Sequence, residues 1–333
     1  MTNRITMALM IMALAAGSTN VHAQEVRNTA PPETERQSLE DAWWTGPIVT
    51  AGAGTLPQGH ALVEPYLFDV IRYGRFDRDG KERAASRVHG YGSLTYMLYG
   101  VTDSFTVGLI PTFAFNEVSE GSDSSGVQFG DLTLQAQYRL SQFRAGERVP
   151  TTSVVIQQTL PTGKYDRLGT HPSDGSGLGA HTTTLAIYSQ YYLWMPNGRL
   201  TRTRFNVSYA FSDDVRVRDV SVYGTEAGFN GIAEPGDVLT INSSWEYSIT
   251  RNWVLALDFV YQHDDNTHLR GSVSGDSREI REDFGSAWRF GIAPAVEYNW
   301  SSRIGLIVGA RWFGAGRNTS ATVTPAIALN MVF

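Results

Sequence analysis

From His60 to Phe333 the chain alternates apolar with small or polar residues at a period of two. The pattern falls into roughly twelve runs, each near the ten residues a tilted strand needs to cross a membrane. The runs are 60–72, 89–99, 104–115, 129–140, 151–161, 182–194, 202–211, 237–249, 253–263, 286–299, 303–313 and 319–333. The last run shows the period well. Val323, Pro325, Ile327, Leu329, Met331 and Phe333 share one bulky apolar face, while Thr322, Thr324, Ala326, Ala328 and Asn330 lie on the small or polar one. In the run from Trp253, the residues Leu255, Leu257, Phe259 and Tyr261 continue one face and Asp258 lies on the other. Aromatic residues gather at run ends, where a membrane interface would place them. The first and fifth runs alternate poorly, so the sequence does not fix their facing.

The connections carry as much information as the runs. Turns at 101–103, 249–252 and 300–303 are tight, and 141–150 and 195–201 are moderately short. Between them lie long polar segments at 73–88, 116–128, 162–181, 212–236 and 264–285. Strict alternation of short and long connections predicts an all-β, transmembrane antiparallel up-and-down barrel of about twelve strands, with short periplasmic turns and long extracellular loops. An even strand count puts both termini in the periplasm. The strand ending at Phe333 is expected to close against the run beginning near His60. Its terminal aromatic resembles the last strand of bacterial outer-membrane barrels, which implies an assembly signal at Phe333 read by the barrel-assembly machinery.

The N-terminus predicts export. A basic start at Arg4, an apolar run over 5–16, and the small residues Val21 and Ala23 before Gln24 form a signal peptide over 1–23, with cleavage at Ala23–Gln24. Residues 24–59 then read as a periplasmic N-terminal extension or a hatch for the barrel, and 60–333 as the barrel itself. A hatch would bring Trp43 and Trp44 among inward-facing charges.

Composition agrees with this architecture. The chain has 33 Gly, 15 Tyr, 15 Phe and 8 Trp, and no Cys, which excludes disulfides and thiolate metal sites. The formal net charge of −6 and the lack of a basic stripe argue against nucleic acid as a partner. No cofactor motif is present. The expected surroundings are outer-membrane lipid and lipopolysaccharide.

Two stretches carry a family resemblance. A strand led by Gly130-Asp131 is followed by Leu160-Pro161-Thr162-Gly163, with Tyr165 and Asp166 beyond. With the signal peptide and the twelve-run layout, this pair resembles the outer-membrane family labelled meta-pathway phenol degradation-like. Lys164 departs from the acidic or polar residue expected there. The resemblance implies a transporter-like barrel that passes small hydrophobic or aromatic molecules, with no catalytic residues. Locally, Pro161 removes a ladder donor and Gly163 permits a bend, so the segment ends a strand. The same bend could fold 164–181 over the mouth.

Inward parity assigns a lumen lining. It comprises Glu64, Asp131, Gln135, Gln137 and Arg139; Arg204, Asn206, Asn242 and Glu246; and Asp258, Arg289, Glu297, Arg303 and Arg311. Acids and bases are about balanced, which predicts cross-strand ion pairs rather than a single-sign selective ring. Two functions follow: passive passage of small molecules along this lining, or a closed barrel with a structural or surface-binding role. Enzyme readings are weaker. His171-Pro172-Ser173 lies in a Gly-rich loop, and His263-Asp264-Asp265 lacks a second acidic pair. With Asn266 and His268 the latter could hold a divalent cation, though at no standard spacing.

Overall fold

The computed structural model describes residues 36–274 and 279–333, so the expected signal peptide lies outside the described residues. The first half of the chain forms β1 (Ala61–Phe76), β2 (Glu82–Thr102), β3 (Phe105–Ile110), β4 (Thr112–Val118), β5 (Gln128–Phe129), β6 (Leu132–Ser141), β7 (Thr151–Leu160), β8 (Thr182–Trp194) and β9 (Leu200–Ser212). The second half forms β10 (Val215–Arg218), β11 (Phe229–Glu234), β12 (Val238–Ser248), β13 (Trp253–Asp264), β14 (His268–Val273), β15 (Glu279–Asp283), β16 (Ala287–Asn299), β17 (Ile304–Arg317) and β18 (Thr319–Val332).

Fourteen segments build one antiparallel sheet, and β1 pairs with both β18 and β2, so the sheet closes. It is a twelve-stranded barrel, because β3 with β4 and β5 with β6 are each one strand interrupted midway. Pro111 breaks the first of these and has no N–H to donate. The neighbour is the same on either side of it: β3 pairs with β6, and β4 with β5. The second break falls at Gly130-Asp131.

Closure explains the period of two, since one face of each strand must meet the exterior and the other the bore. Leu67, Ile156, Ile187, Leu255 and Val308 project outward and are exposed. Trp253, Tyr298 and Trp300 cluster near the short-turn rim, with ring centroids 4.7 and 5.3 Å apart. Tyr209, Phe290 and Trp312 are exposed toward the long-loop rim. The outer wall is therefore an apolar band between two aromatic zones.

Three expectations about the connections change. Residues 73–88 are mostly strand, with only a tight turn after Phe76. There the Asp77 carboxylate accepts from the Lys81 and Asp79 amides at 2.9 and 3.0 Å. The segments 212–236 and 264–285, read as polar loops, form a second sheet in the order β10-β11-β14-β15. Val215 and Val217 alternate with Arg216 and Arg218, which lets one face bury against Phe229, Ala233 and Leu269, with Ala180 and Tyr223. That core is assembled across the chain, so no single run displays it. The strict alternation of loop lengths fails at the tight turn after Phe76 and once more. Asn318, at φ 55°, alone joins β17 to β18 at the long-loop rim, and its side-chain amide donates to the Phe284 carbonyl at 2.7 Å.

Candidate functional site

The bore is occupied by the chain that precedes β1. Residues 43–56 run along the inward faces of the wall and are bound mainly through their own backbone. The Glu297 carboxylate accepts from the amides of Thr45 and Gly46 at 2.7 and 3.1 Å. Asp258 accepts from the Val49 and Thr50 amides and from the Thr50 hydroxyl at 2.6 Å. On the opposite side, donors meet carbonyls. Arg204 donates to Thr50, Asn206 to Ala51, Ser153 to Ala53 and Gln137 to both Gly52 and Gly54, all at 2.6–3.2 Å. Buried amides and carbonyls need partners, and a barrel wall has already used its own. Wall side chains supply them, which is why acids and donors recur at inward positions.

The segment has the composition this demands. Ala51-Gly52-Ala53-Gly54 carries almost no side chain, so it fits against the wall. The wall answers with glycines of its own. A side chain at Gly100 would run into the Pro57 carbonyl, and one at Gly309 would meet the Ile48 side chain at 2.6 Å.

Of the remaining charges, one acid and two bases form ion pairs. Glu246, fully buried, binds both Arg202 and Arg204. Arg202 also lies 4.6 Å from the centre of the Trp44 ring, and Arg251 lies 4.5 Å from that of Trp43. Toward the long-loop end, the guanidiniums of Arg289 and Arg311 stand over the ring of buried Phe313 at 4.6 and 5.1 Å.

Free space follows one side of the bore, along β1, β2 and β18. A cavity of about 520 Å³ at the long-loop end is lined by Phe68, Val70, Arg72, Arg289 and Thr322, among others. A second of about 190 Å³, shared with Phe68, lies between Leu94, Arg311 and Ala326. A third of about 180 Å³ shares Ile48, Val49, Tyr66 and Tyr96 with the second, and reaches Glu64, Gln135, Gln137, Tyr188 and Arg204. The inserted segment forms one wall of this third cavity.

The residues expected to line the lumen therefore divide. Glu64, Gln135, Gln137, Arg204, Arg289 and Arg311 border the cavities. Asn206, Asp258 and Glu297 grip the inserted segment, and Glu246 serves the two arginines. Asn242 lies opposite Asn206 across the β12–β9 ladder. Arg139 is half-buried on β6 and borders none of the three cavities. Arg303 is not in the lumen, because it falls in the exposed turn before β17. The aromatic and aliphatic lining, chiefly Tyr66, Phe68, Tyr96, Tyr188 and Ile48, was not anticipated. Tyr66 and Phe68 share the parity of Glu64, but β1 alternates too weakly for the sequence to fix that face.

The two sequence motifs meet at the second wall break. Thr162 donates its hydroxyl to the Gly130 carbonyl at 2.8 Å and accepts from the Leu132 amide. Asp131 accepts from the amides of Gly163 and Leu178 at 2.9 and 2.8 Å, closing both ends of loop 162–181 onto the interrupted strand. Tyr165 packs against the core of the second sheet, and Asp166 accepts from the Arg218 amide. Removing the Asp131 carboxylate leaves two amides without their acceptor, at about 1–3 kcal/mol. Asp131→Ala is expected to speed limited proteolysis after Lys164 and Arg167, while the barrel stays intact on a heat-modified gel. An unchanged cleavage rate would contradict the closure.

The same loop is tied a second time. Asp174 accepts from the Ser125 amide and hydroxyl at 2.7 and 2.8 Å and from Gln128 at 3.1 Å, with Lys164 at 3.4 Å. Burial alone would raise this carboxyl, but the Ser125 and Lys164 contacts outweigh it and hold it below its ordinary 3.8. Its ionised form thus stabilises the folded loops above that ordinary value, and the contribution is lost as pH falls through the lower folded value. Pepsin cleavage within 162–181 is expected to rise as the pH drops below 3.8. In Asp174→Asn the rate should already be high and should lose that step.

The histidines at the long-loop end are placed differently from a catalytic or metal cluster. His263 meets Asp265 at 3.2 Å, and His268 pairs with Asp283 of β15. Among the described residues, no three His, Asp or Glu side chains are gathered to hold a metal.

The family model described as "Putative MetA-pathway of phenol degradation" matches residues 83–326, well over half of the chain. A search of curated proteins finds no match. Among solved structures, the COG4313 outer membrane channel from Pseudomonas putida F1 is 16% identical, with 84% of this chain and 98% of that chain covered and a TM-score of 0.65. The beta domain of the Bordetella autotransporter BrkA is 10% identical, with 83% and 100% covered and a TM-score of 0.44. The Pseudomonas putida toluene transporter TodX is 11% identical, with 88% and 95% covered and a TM-score of 0.37. The first likeness carries the fold. The other two are too distant to carry an argument.

Proposed function

This chain belongs to the MetA-pathway phenol-degradation family, and we propose that it is a passive channel of the bacterial outer membrane for small hydrophobic or aromatic molecules. In this reading the short-turn rim faces the periplasm, the long loops and the second sheet face outward, and the outer wall touches lipid and lipopolysaccharide. Residues 43–56 are a plug.

The observation that carries the reading is the file of three cavities, which share lining residues from the long-loop rim to the plug. Their walls combine rings and aliphatic groups with a few polar atoms, as ligand sites do. The smallest cavity, about 180 Å³, suits a single-ring molecule better than a chain or a sugar. The name of the COG4313 structure, an outer membrane channel, agrees with a channel without extending to this chain's cargo.

Passage would follow β1, β2 and β18 rather than the paired charges. Arg289, Arg311 and Arg204 each border one cavity in turn, so polar groups on a guest meet a partner at every stage. Proteoliposomes holding the purified chain are expected to take up a neutral monocyclic aromatic faster than empty vesicles. Uptake equal to that of empty vesicles would remove the channel reading. The second reading, a closed barrel that binds partners with its outer sheet, is favoured by the many hydrogen bonds holding residues 43–56, and that result would support it.

A further inference from the structure

Just before the plug, the chain crosses the short-turn rim as a strap. Gln37 fixes it there. Its amide donates to the Gly198 carbonyl at 2.9 Å, and its own carbonyl accepts from the Trp194 indole at 2.8 Å. Its side-chain oxygen accepts from the Leu200 amide, and its side-chain amide donates to the Asp41 carbonyl and the Ser248 hydroxyl. A single exposed-rim glutamine with every polar group engaged is a built joint, not a passing contact.

Beside this joint is a cup of about 420 Å³ lined by Arg36, Gln37, Asp41, Asn197, Gly198, Arg199 and Arg251. Three of these residues come from the strap and four from the β8–β9 and β12–β13 turns. The cup is held in shape. Asn197 donates to the Tyr247 hydroxyl at 2.8 Å and accepts from the Arg199 amide, while Arg251 lies over the Trp43 ring and its carbonyl accepts the Trp43 amide at 3.0 Å. Three guanidiniums meet here with one carboxylate. Among the described residues none of the three forms an ion pair, and Asp41 is engaged by the Ser38 hydroxyl at 3.0 Å. Like charges brought together on a fixed frame repel, and an oxyanion removes that repulsion while offering acceptors that match guanidinium geometry.

We propose that this cup binds a small oxyanion, a carboxylate or a phosphate, which bridges Arg36 of the strap to Arg199 and Arg251 of the barrel and so strengthens the hold on the plug. The site regulates the channel proposed above and rests on residues 43–56 acting as its plug. Ligand bound to both halves adds its binding free energy to plug retention, because releasing the strap would break the site.

The test uses the full chain in detergent at constant ionic strength, titrated by calorimetry with inorganic phosphate, with benzoate, and with chloride as the control. Saturable binding of phosphate or benzoate, absent for chloride, is expected, and the stronger of the two identifies the source. Arg199→Gln should weaken it by about tenfold, the loss of one charge-assisted contact. Arg36→Glu is the second variant, since it touches the strap end alone and leaves the barrel turns as they are. Hydrogen exchange of the amides of Thr45, Gly46 and Thr50 should slow on adding the preferred anion, and should not respond in Arg36→Glu. Binding no stronger than chloride, or an affinity in both variants unchanged from the parent chain, would overturn the site. Because binding is read without transport, its failure is distinct from a failure of uptake by vesicles.

Discussion

Deleting residues 43–56 is expected to raise the single-channel conductance of the barrel several-fold in planar bilayers and to let hydrophilic solutes swell proteoliposomes. The expectation rests on where those residues lie. They fill the bore between Asp258 and Glu297 on one side and Gln137, Ser153 and Arg204 on the other. A twelve-strand barrel is narrow enough for one such segment to take up much of its bore, so emptying it changes the open cross-section greatly. The deletion also exposes two carboxylates and Arg204 to water, which solvates them, so the barrel is expected to remain folded. Conductance equal to that of the full chain would mean that the plug does not limit flow.

The second large effect concerns stability. Glu246→Ala leaves Arg202 and Arg204 facing each other without their shared carboxylate, in a site where all three groups are buried. Breaking a buried pair by removing one partner costs about 3–5 kcal/mol, because the surviving charge is left without compensation. The unfolding midpoint in urea, followed by tryptophan emission, should fall accordingly. Replacing Arg202 and Glu246 together by leucine and methionine should cost less than Glu246→Ala alone, because one buried guanidinium rather than two is then left without the carboxylate. If the single change is as mild as the double one, the attraction within this triad is not what matters. Arg204 also donates to the Thr50 carbonyl, so part of the loss should appear as faster exchange of the plug amides.

Much of this was legible in the chain. The period of two on β12, β13, β16 and β18 places Trp245, Leu255, Val296 and Ile327 outside and Glu246, Asp258, Glu297 and Asn330 inside, and burial follows the same parity. The Gly130-Asp131 and Leu160-Pro161-Thr162-Gly163 motifs were visible as words, but their meaning required seeing them bonded across a broken strand. The small sheet was missed because each of its strands is short, and its core of Val217, Phe229 and Leu269 comes from three separate segments. Arg303 was misplaced for a simpler reason: parity applies within a strand, and the residue sits in the turn before one.

What the sequence determined by itself is the wall. Alternation is a local property, and in a closed sheet each residue's face follows from its neighbours two positions away. What only the tertiary structure decided is the content of the bore. Nothing local in Thr50-Ala51-Gly52-Ala53-Gly54 says that the Thr50 amide will be answered by Asp258 and the carbonyls by Arg204, Asn206 and Ser153, some 100 to 208 positions away. Backbone groups are the same in every sequence, so partners for them are chosen by proximity in the fold and leave no pattern along the chain.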